Sequence, residues 1–425
     1  MRICKELWNR NVLHRLVLLA GAIWLLASCD ASNDTVLQDE PDETHNTVTV
    51  SLHFTADYTG SVTRTPELSN DDNTNEENRI DIEGEDYYIL IFKETTAADG
   101  TTKMVFQERF VPLMVNVVAN TEEKERLYTL QGLLPVSSEL KTGEVAQEKL
   151  AIMVLANWHS FGSDYDGLSL VVGETTLTDV VEQSRHIPYM LPSAPWQPYK
   201  NGERGIPMCG VKKFEIKTTD IQPGAVLNIA DKDDPVMMLR AVAKIEIIDN
   251  LYEGQRDSEC GVKVASVSRY NKTGTLICDM KKNPNWYVET EQVKTPTLPY
   301  VTPEQGSELE MFPAGNNEDG KPVYAAYVPE FDMSELKPGD VLRPAIKLQI
   351  KKPGKDTELL GYIVDIADYA DKTTPTVTEH YHYLLRNHIY RFELTGSPEN
   401  PKRKLTINYT VCPWDKRTAG DIRFE

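Results

Sequence analysis

From residue 47 onward the chain alternates apolar and polar side chains in short runs. Residues 47–54 (TVTVSLHF) place Val48, Val50, Leu52 and Phe54 on one side and Thr47, Thr49, Ser51 and His53 on the other, the period-2 mark of a strand with one buried face. Residues 87–92 (YYILIF), 149–155 (KLAIMVL) and 243–248 (AKIEII) are similar runs rich in β-branched and aromatic side chains. In the second half the pattern predicts strands over 262–269, 323–328, 345–351, 359–366, 388–394 and 405–412. Turn clusters such as Asp99-Gly100, Asp166-Gly167 and the KNGERG of residues 200–205 separate them. Helical periodicity is scarce, and the best stretch is 178–184 (TDVVEQS) with Thr178 as its N-cap. Without regular helices between the strands, the pattern predicts a mostly β protein built as sandwiches rather than around a parallel sheet.

The first residues follow another pattern. Arg2, Lys5, Arg10 and Arg15 precede an apolar run over 16–26 (LVLLAGAIWLL), which is a basic region and then a signal-peptide core. Eleven apolar residues fall well short of the roughly 20 that cross a bilayer as a helix. Leu26-Ala27-Ser28-Cys29 resembles the lipobox of bacterial lipoproteins: a branched apolar residue, two small ones and a thiol to be acylated. Residues 1–28 therefore read as a lipoprotein signal peptide and Cys29 as the lipidation site. Several acyl chains at about 0.8 kcal/mol per buried methylene hold such a chain to a membrane without spanning it. Residues 29–45, polar and acidic, read as a flexible tether. Nearly 400 residues after the signal exceed one hydrophobic core. We expect two tandem domains, 46–250 and 251–425, divided where residues 253–257 (EGQRD) interrupt the strands.

Charge narrows the partners. The chain carries a net −20, and removing the first 28 residues, with four basic side chains and one acid (Glu6), leaves −23. A surface with no basic surplus does not displace counterions from phosphates, so nucleic acid is not an expected partner. Beyond Cys4 and Cys29 the cysteines are Cys209, Cys260, Cys278 and Cys412. They read as buried free thiols, with a Cys260–Cys278 bridge as the lesser alternative.

Chemistry is thinly represented. No phosphate loop, GxSxG elbow or HExxH stretch is present, and neither catalysis nor a cofactor is implied. His380 and His382, with His388 nearby, have a metal-compatible spacing but no second cluster to complete a site, so no metal is assigned. Trp158, Trp196, Trp286 and Trp414 are of a kind that stacks on sugars, although isolated tryptophans in sandwiches are more often core.

Several stretches in both halves resemble the fimbrillin family, the subunits of type V pili. They are Ser61-Val62-Thr63-Arg64 followed by an acidic loop and the 87–92 strand; Ile206-Pro207-Met208-Cys209-Gly210; and Leu239-Arg240-Ala241-Val242-Ala243-Lys244-Ile245. The second half adds Tyr327-Val328-Pro329-Glu330, Arg386-Asn387-His388-Ile389-Tyr390 and Leu405-Thr406-Ile407-Asn408-Tyr409 with Trp414. The resemblance implies two transthyretin-like β-sandwich domains and export as an outer-membrane lipoprotein. It further implies assembly with other fimbrial subunits by strand donation, once an arginine-specific surface protease has removed the first strand. Arg64, in a polar loop after that strand, is the expected processing site, with Arg79 second and Pro66 an obstacle close to the first. The donor expected is the C-terminal stretch 402–425, in which Leu405, Ile407, Tyr409 and Val411 alternate and then Ile422 and Phe424; the alternative is that this stretch pairs within its own domain. The output implied is adhesion, through a host or bacterial surface ligand, for a subunit of the shaft or tip. The alternatives are a membrane-retained anchor subunit that keeps lipid and first strand, and a surface glycan-binding lipoprotein with an exposed aromatic platform.

Overall fold

Alternating runs become strands, and the strands assemble into four main sheets. A computed structural model describes residues 47–55, 76–120, 125–159, 168–191, 195–200, 203–230, 235–254, 259–279, 281–283, 296, 308–317, 319–337, 340–355, 358–369, 377–380, 382–397 and 406–413. Cys29 and Arg64 lie outside them. The first sheet holds β1 (Thr47–Thr55), β4 (Met114–Asn120), β5 (Glu125–Pro135), β9 (Val226–Ala230) and β10 (Val236–Met237). The second holds β2 (Tyr87–Thr96), β3 (Thr102–Arg109), β6 (Gln147–Ala156), β8 (Met208–Lys217) and β11 (Leu239–Arg240), in the order β11-β8-β6-β2-β3.

Two further sheets use the second half. One contains β12 (Ala243–Leu251), β16 (Phe312–Asn316), β17 (Pro322–Val328), β24 (His388–Gly396) and β25 (Thr406–Pro413), in the order β16-β17-β12-β24-β25. The other contains β13 (Gly261–Ser268), β15 (Glu308–Glu310), β19 (Ala345–Lys351) and β20 (Leu359–Asp365), in the order β15-β13-β19-β20. Three short pairs complete the fold: β7 (Pro188–Met190) with β14 (Thr273–Thr275), β18 (Phe331–Asp332) with β23 (Tyr383–Leu384), and β21 (Ala367–Tyr369) with β22 (Val377–His380).

Both sheet pairs bury their facing side chains in one continuous core. It runs from Val50, Leu52, Leu130, Phe92 and Val154 to Ile245, Ile247, Phe331, Ile346 and Phe392. Residues 46–425 accordingly form a single compact unit. A boundary after Asn250 would cut through β12, which pairs with β17 on one side and β24 on the other, both from the second half. The passage between the sheet pairs is instead the step from β11 to β12, at Ala241 and Val242.

Among the described residues helices are few and short. The helix Leu177–Ser184 starts one residue earlier than its sequence predicts, and its N-cap is Thr176, not Thr178. The Thr176 hydroxyl accepts the Asp179 N–H at 3.1 Å and the Asp179 carboxylate accepts the Thr176 N–H at 2.9 Å, a capping box that satisfies two otherwise orphaned donors. A second helix, Ser138–Thr142, is capped by Ser137 and ended by Gly143 in the left-handed region. Cys209, Cys260 and Cys278 are buried free thiols, so the Cys260–Cys278 bridge is not formed. Burial pushes the Cys278 thiol up to about 12.

Candidate functional site

The feature of the fold best suited to exchange is the place held by β1. Valine and leucine at every second position make it a strand with one apolar face, and Val50 and Leu52 are fully buried, with Val48 nearly so. On one side β1 runs antiparallel to β5, from Thr47 opposite Pro135 to Phe54 opposite Tyr128. On the other it pairs in parallel with β9 from Thr49 to Leu52, and then with β10 at Phe54 and Thr55. The first strand is thus interior to its sheet, with ladders along both edges. Its outward side adds one polar tie, His53 Nδ1 lying 2.7 Å from the Ala230 carbonyl oxygen.

The slot beneath has a shape of its own. Val50 lies opposite Gly132, and a Cβ on Gly132 would stand 2.6 Å from the Phe110 ring. Glycine here lets that buried phenyl ring close the floor under the strand. Val48, Val50 and Leu52 each gain about 1.5–3 kcal/mol on burial, comparable in sum to much of a domain's net stability of roughly 5–15 kcal/mol. Withdrawal of β1 therefore has to be offset by another strand in the same place.

The two candidate arginines fall differently. Arg64 belongs to the stretch 56–75, outside the described residues. Arg79 is on the body: its guanidinium carbon stacks 4.4 Å from the centre of the Tyr199 ring, and its carbonyl accepts Asn157 Nδ2 at 2.8 Å. Next to it, the Ile80 N–H donates to the Tyr128 hydroxyl at 2.7 Å, and Ile80 is buried. At the other end of the chain, β25 pairs antiparallel with β24 from Thr406 opposite Thr395 to Pro413 opposite His388, as the last strand of its sheet. The rest of the expected donor, residues 402–405 and 414–425, lies outside the described residues.

Solved structures similar to this chain include fimbrial proteins and proteins described as putative cell-adhesion proteins. The tip fimbrial protein Mfa3 from Porphyromonas gingivalis aligns with 12% identity and a TM-score of 0.47, over 86% of this chain and 100% of that one. A fimbrial assembly protein from Parabacteroides distasonis aligns with 14% identity and a TM-score of 0.38, over 86% and 95%. A fimbrial protein from Bacteroides vulgatus aligns with 10% identity and a TM-score of 0.30, over 77% and 92%. No protein-family model and no curated protein matches the sequence.

Most of the stretches that carry the family resemblance meet at the passage between the sheet pairs. The Asn387 side-chain oxygen accepts from Arg240 Nη1 at 3.1 Å, and the Asn387 N–H donates to the Val242 carbonyl at 2.8 Å. Asn387 sits at φ 57°, a left-handed geometry that asparagine tolerates. Arg386 Nη2 is 2.8 Å from Glu330 Oε2, both buried, and it also donates to the Thr275 carbonyl at 3.1 Å. Gly210 admits no side chain because the Met237 carbonyl oxygen would lie 2.4 Å from its Cβ. These residues lock β7–β14 and the β11–β12 step into one frame.

Other candidate chemistry resolves into structure. Trp158 and Trp196 are buried, their N–H groups donating to the Met208 and Arg204 carbonyls at 3.2 and 2.9 Å. Trp286 and Trp414 lie outside the described residues. His388 Nδ1 lies 2.8 Å from the Arg386 carbonyl oxygen, and burial lowers its pKa, favouring the neutral ring. The ring of His382 meets Tyr383 edge-on. Among the described residues no three His, Cys, Asp or Glu side chains gather as a metal set.

Proposed function

We propose that the chain is a subunit of a cell-surface fimbrium, in the shaft or at the tip, exported as a lipoprotein through Cys29. Cleavage after Arg64 releases lipid, tether and β1 together, and a strand from a neighbouring subunit takes the vacated place. The observation that carries this reading is the setting of β1: laddered on both edges, apolar beneath, and followed in the sequence by Arg64 before the next described residue. An incoming strand would find backbone donors and acceptors on both sides for affinity, and pockets at every second position for register. The neighbours are other fimbrial subunits, the outer membrane holds the precursor, and a host or bacterial surface ligand is the adhesive partner.

The N-terminus and intact mass of the protein at the cell surface test this. A start at Thr65 is the expected result. Acylated Cys29 on every molecule would overturn the shaft and tip assignment in favour of an anchor that keeps β1. The glycan-binding alternative draws no support from Trp158 and Trp196, which are core residues.

A further inference from the structure

Directly after residues 56–75, which include Arg64, the chain is fastened to the body by buried polar groups. Glu77, in the short turn Glu76–Asn78, is buried, and its Oε1 accepts Lys244 Nζ at 2.6 Å and the Tyr327 hydroxyl. Lys244 also reaches Glu246 Oε1 at 2.9 Å, and Glu246 Oε2 receives Arg391 Nε at 2.9 Å. Two carboxylates and two cations thus alternate along a charge-balanced chain rooted in β12 and β24. One residue on, the Asn78 side-chain oxygen accepts from Arg240.

The Arg79–Ile80 peptide bond comes next, and both of its polar groups are taken. Asn157 holds the carbonyl, Tyr128 holds the N–H, and Asn157 Oδ1 accepts the Asp81 N–H at 3.1 Å and the Tyr199 hydroxyl at 2.8 Å. Tyr128 is also the β5 residue opposite Phe54, so this fastening stands where β1 ends. A protease binds its substrate as an extended strand and needs these backbone groups for itself.

We propose that Glu77, with Tyr128 and Asn157, is a stop for proteolytic processing: it holds residues 76–81 on the body, excludes Arg79–Ile80 from an arginine-specific protease and confines the cut to positions upstream of residue 76. Residues 76–81 then stay behind when β1 leaves and close that end of the slot. The inference rests on the processing proposed above, but its test separates the two.

The full chain is treated with a limiting amount of an arginine-specific endoprotease, and the large fragment is identified by N-terminal sequencing and intact mass. The wild type is expected to begin at Thr65 with no fragment beginning at Ile80. Glu77→Gln and Tyr128→Phe are expected to raise the rate of appearance of the Ile80 fragment about tenfold, the weight of one lost hydrogen bond. Were Glu77→Gln to unfold the chain, cuts at the buried Arg240, Arg343 and Arg386 would reveal it, and Tyr128→Phe, which removes a single hydroxyl, still decides the matter. Wild-type cleavage at Arg79 as fast as at Arg64, or Ile80 fragments unchanged in both variants, would overturn the stop. An uncut Arg64 with Ile80 fragments only in the variants would leave the stop standing and remove the processing reading.

Discussion

Lys244 enters the core charged because two carboxylates receive it there. Burial disfavours its ammonium, yet Glu246 and Glu77 more than compensate and raise its pKa. A buried ion loses several kcal/mol of hydration, and removing one member of such a set strands the rest. Lys244→Met should therefore cost about 3–5 kcal/mol, read as a lower midpoint in chemical denaturation. Glu246 gives the matching pH signature. Burial pushes its carboxyl upward, but Lys244 and Arg391 override that and bring it to about 2, against 4.5 when free. The folded state binds this proton less tightly than the unfolded state, so the pair adds stability above pH 4.5. That stability drains as pH falls from there towards 2. Thermal midpoints measured from pH 6 to 2 should drop over that window in the wild type, and more shallowly in Glu246→Gln. An equal slope in the variant would remove Glu246 as the source.

At the scale of elements, β1 is the piece whose absence can be repaired from outside. A chain beginning at Thr65 should be less stable than one beginning at Asn46, and a synthetic peptide of residues 46–55 should bind it and restore the midpoint. The same peptide with Val50→Asp places a charge over the Phe110 floor and should bind at least about a hundredfold more weakly, since an unpaired buried charge costs several kcal/mol. Titration calorimetry would read the difference, and equal affinities would remove the slot. The strand β1 was legible because its alternation is unbroken, and β19 was legible end to end for the same reason. Other strands were not. In β5 the inward position opposite Val50 is Gly132, which interrupts the apolar series, and in β8 two lysines, Lys212 and Lys213, mask a strand that Met208 to Ile216 anchor in the core. The short β9, β10 and β11 owe their state to the strands beside them rather than to their own residues. The membership of β12 is a long-range fact, since its parallel partner β24 lies some 140 residues away. The processing stop was hidden for a related reason: Glu77 looks like one acid among many in an acidic loop, and only Lys244, Tyr327 and the fold distinguish it.

As a whole, the described body is built to move as one piece. The core is continuous, β7 and β14 pair across the two halves, and the Tyr189 hydroxyl donates to the Ala241 carbonyl at 2.7 Å where the chain passes between sheet pairs. Calorimetry of residues 46–425 should accordingly show one transition with equal calorimetric and van't Hoff enthalpies. Two resolved transitions would mean that the halves are independent despite the shared core. The placement of β1 has a mechanical consequence as well. A strand in that position is bonded along both edges, to β5 over Thr47–Phe54 and to β9 and β10 opposite. A pull along its axis loads both ladders in shear, so the bonds must yield together instead of unzipping one by one. A strand seated there joins two bodies as a tension member, while a strand such as β25, laddered on one side only among the described residues, peels away more readily under the same load.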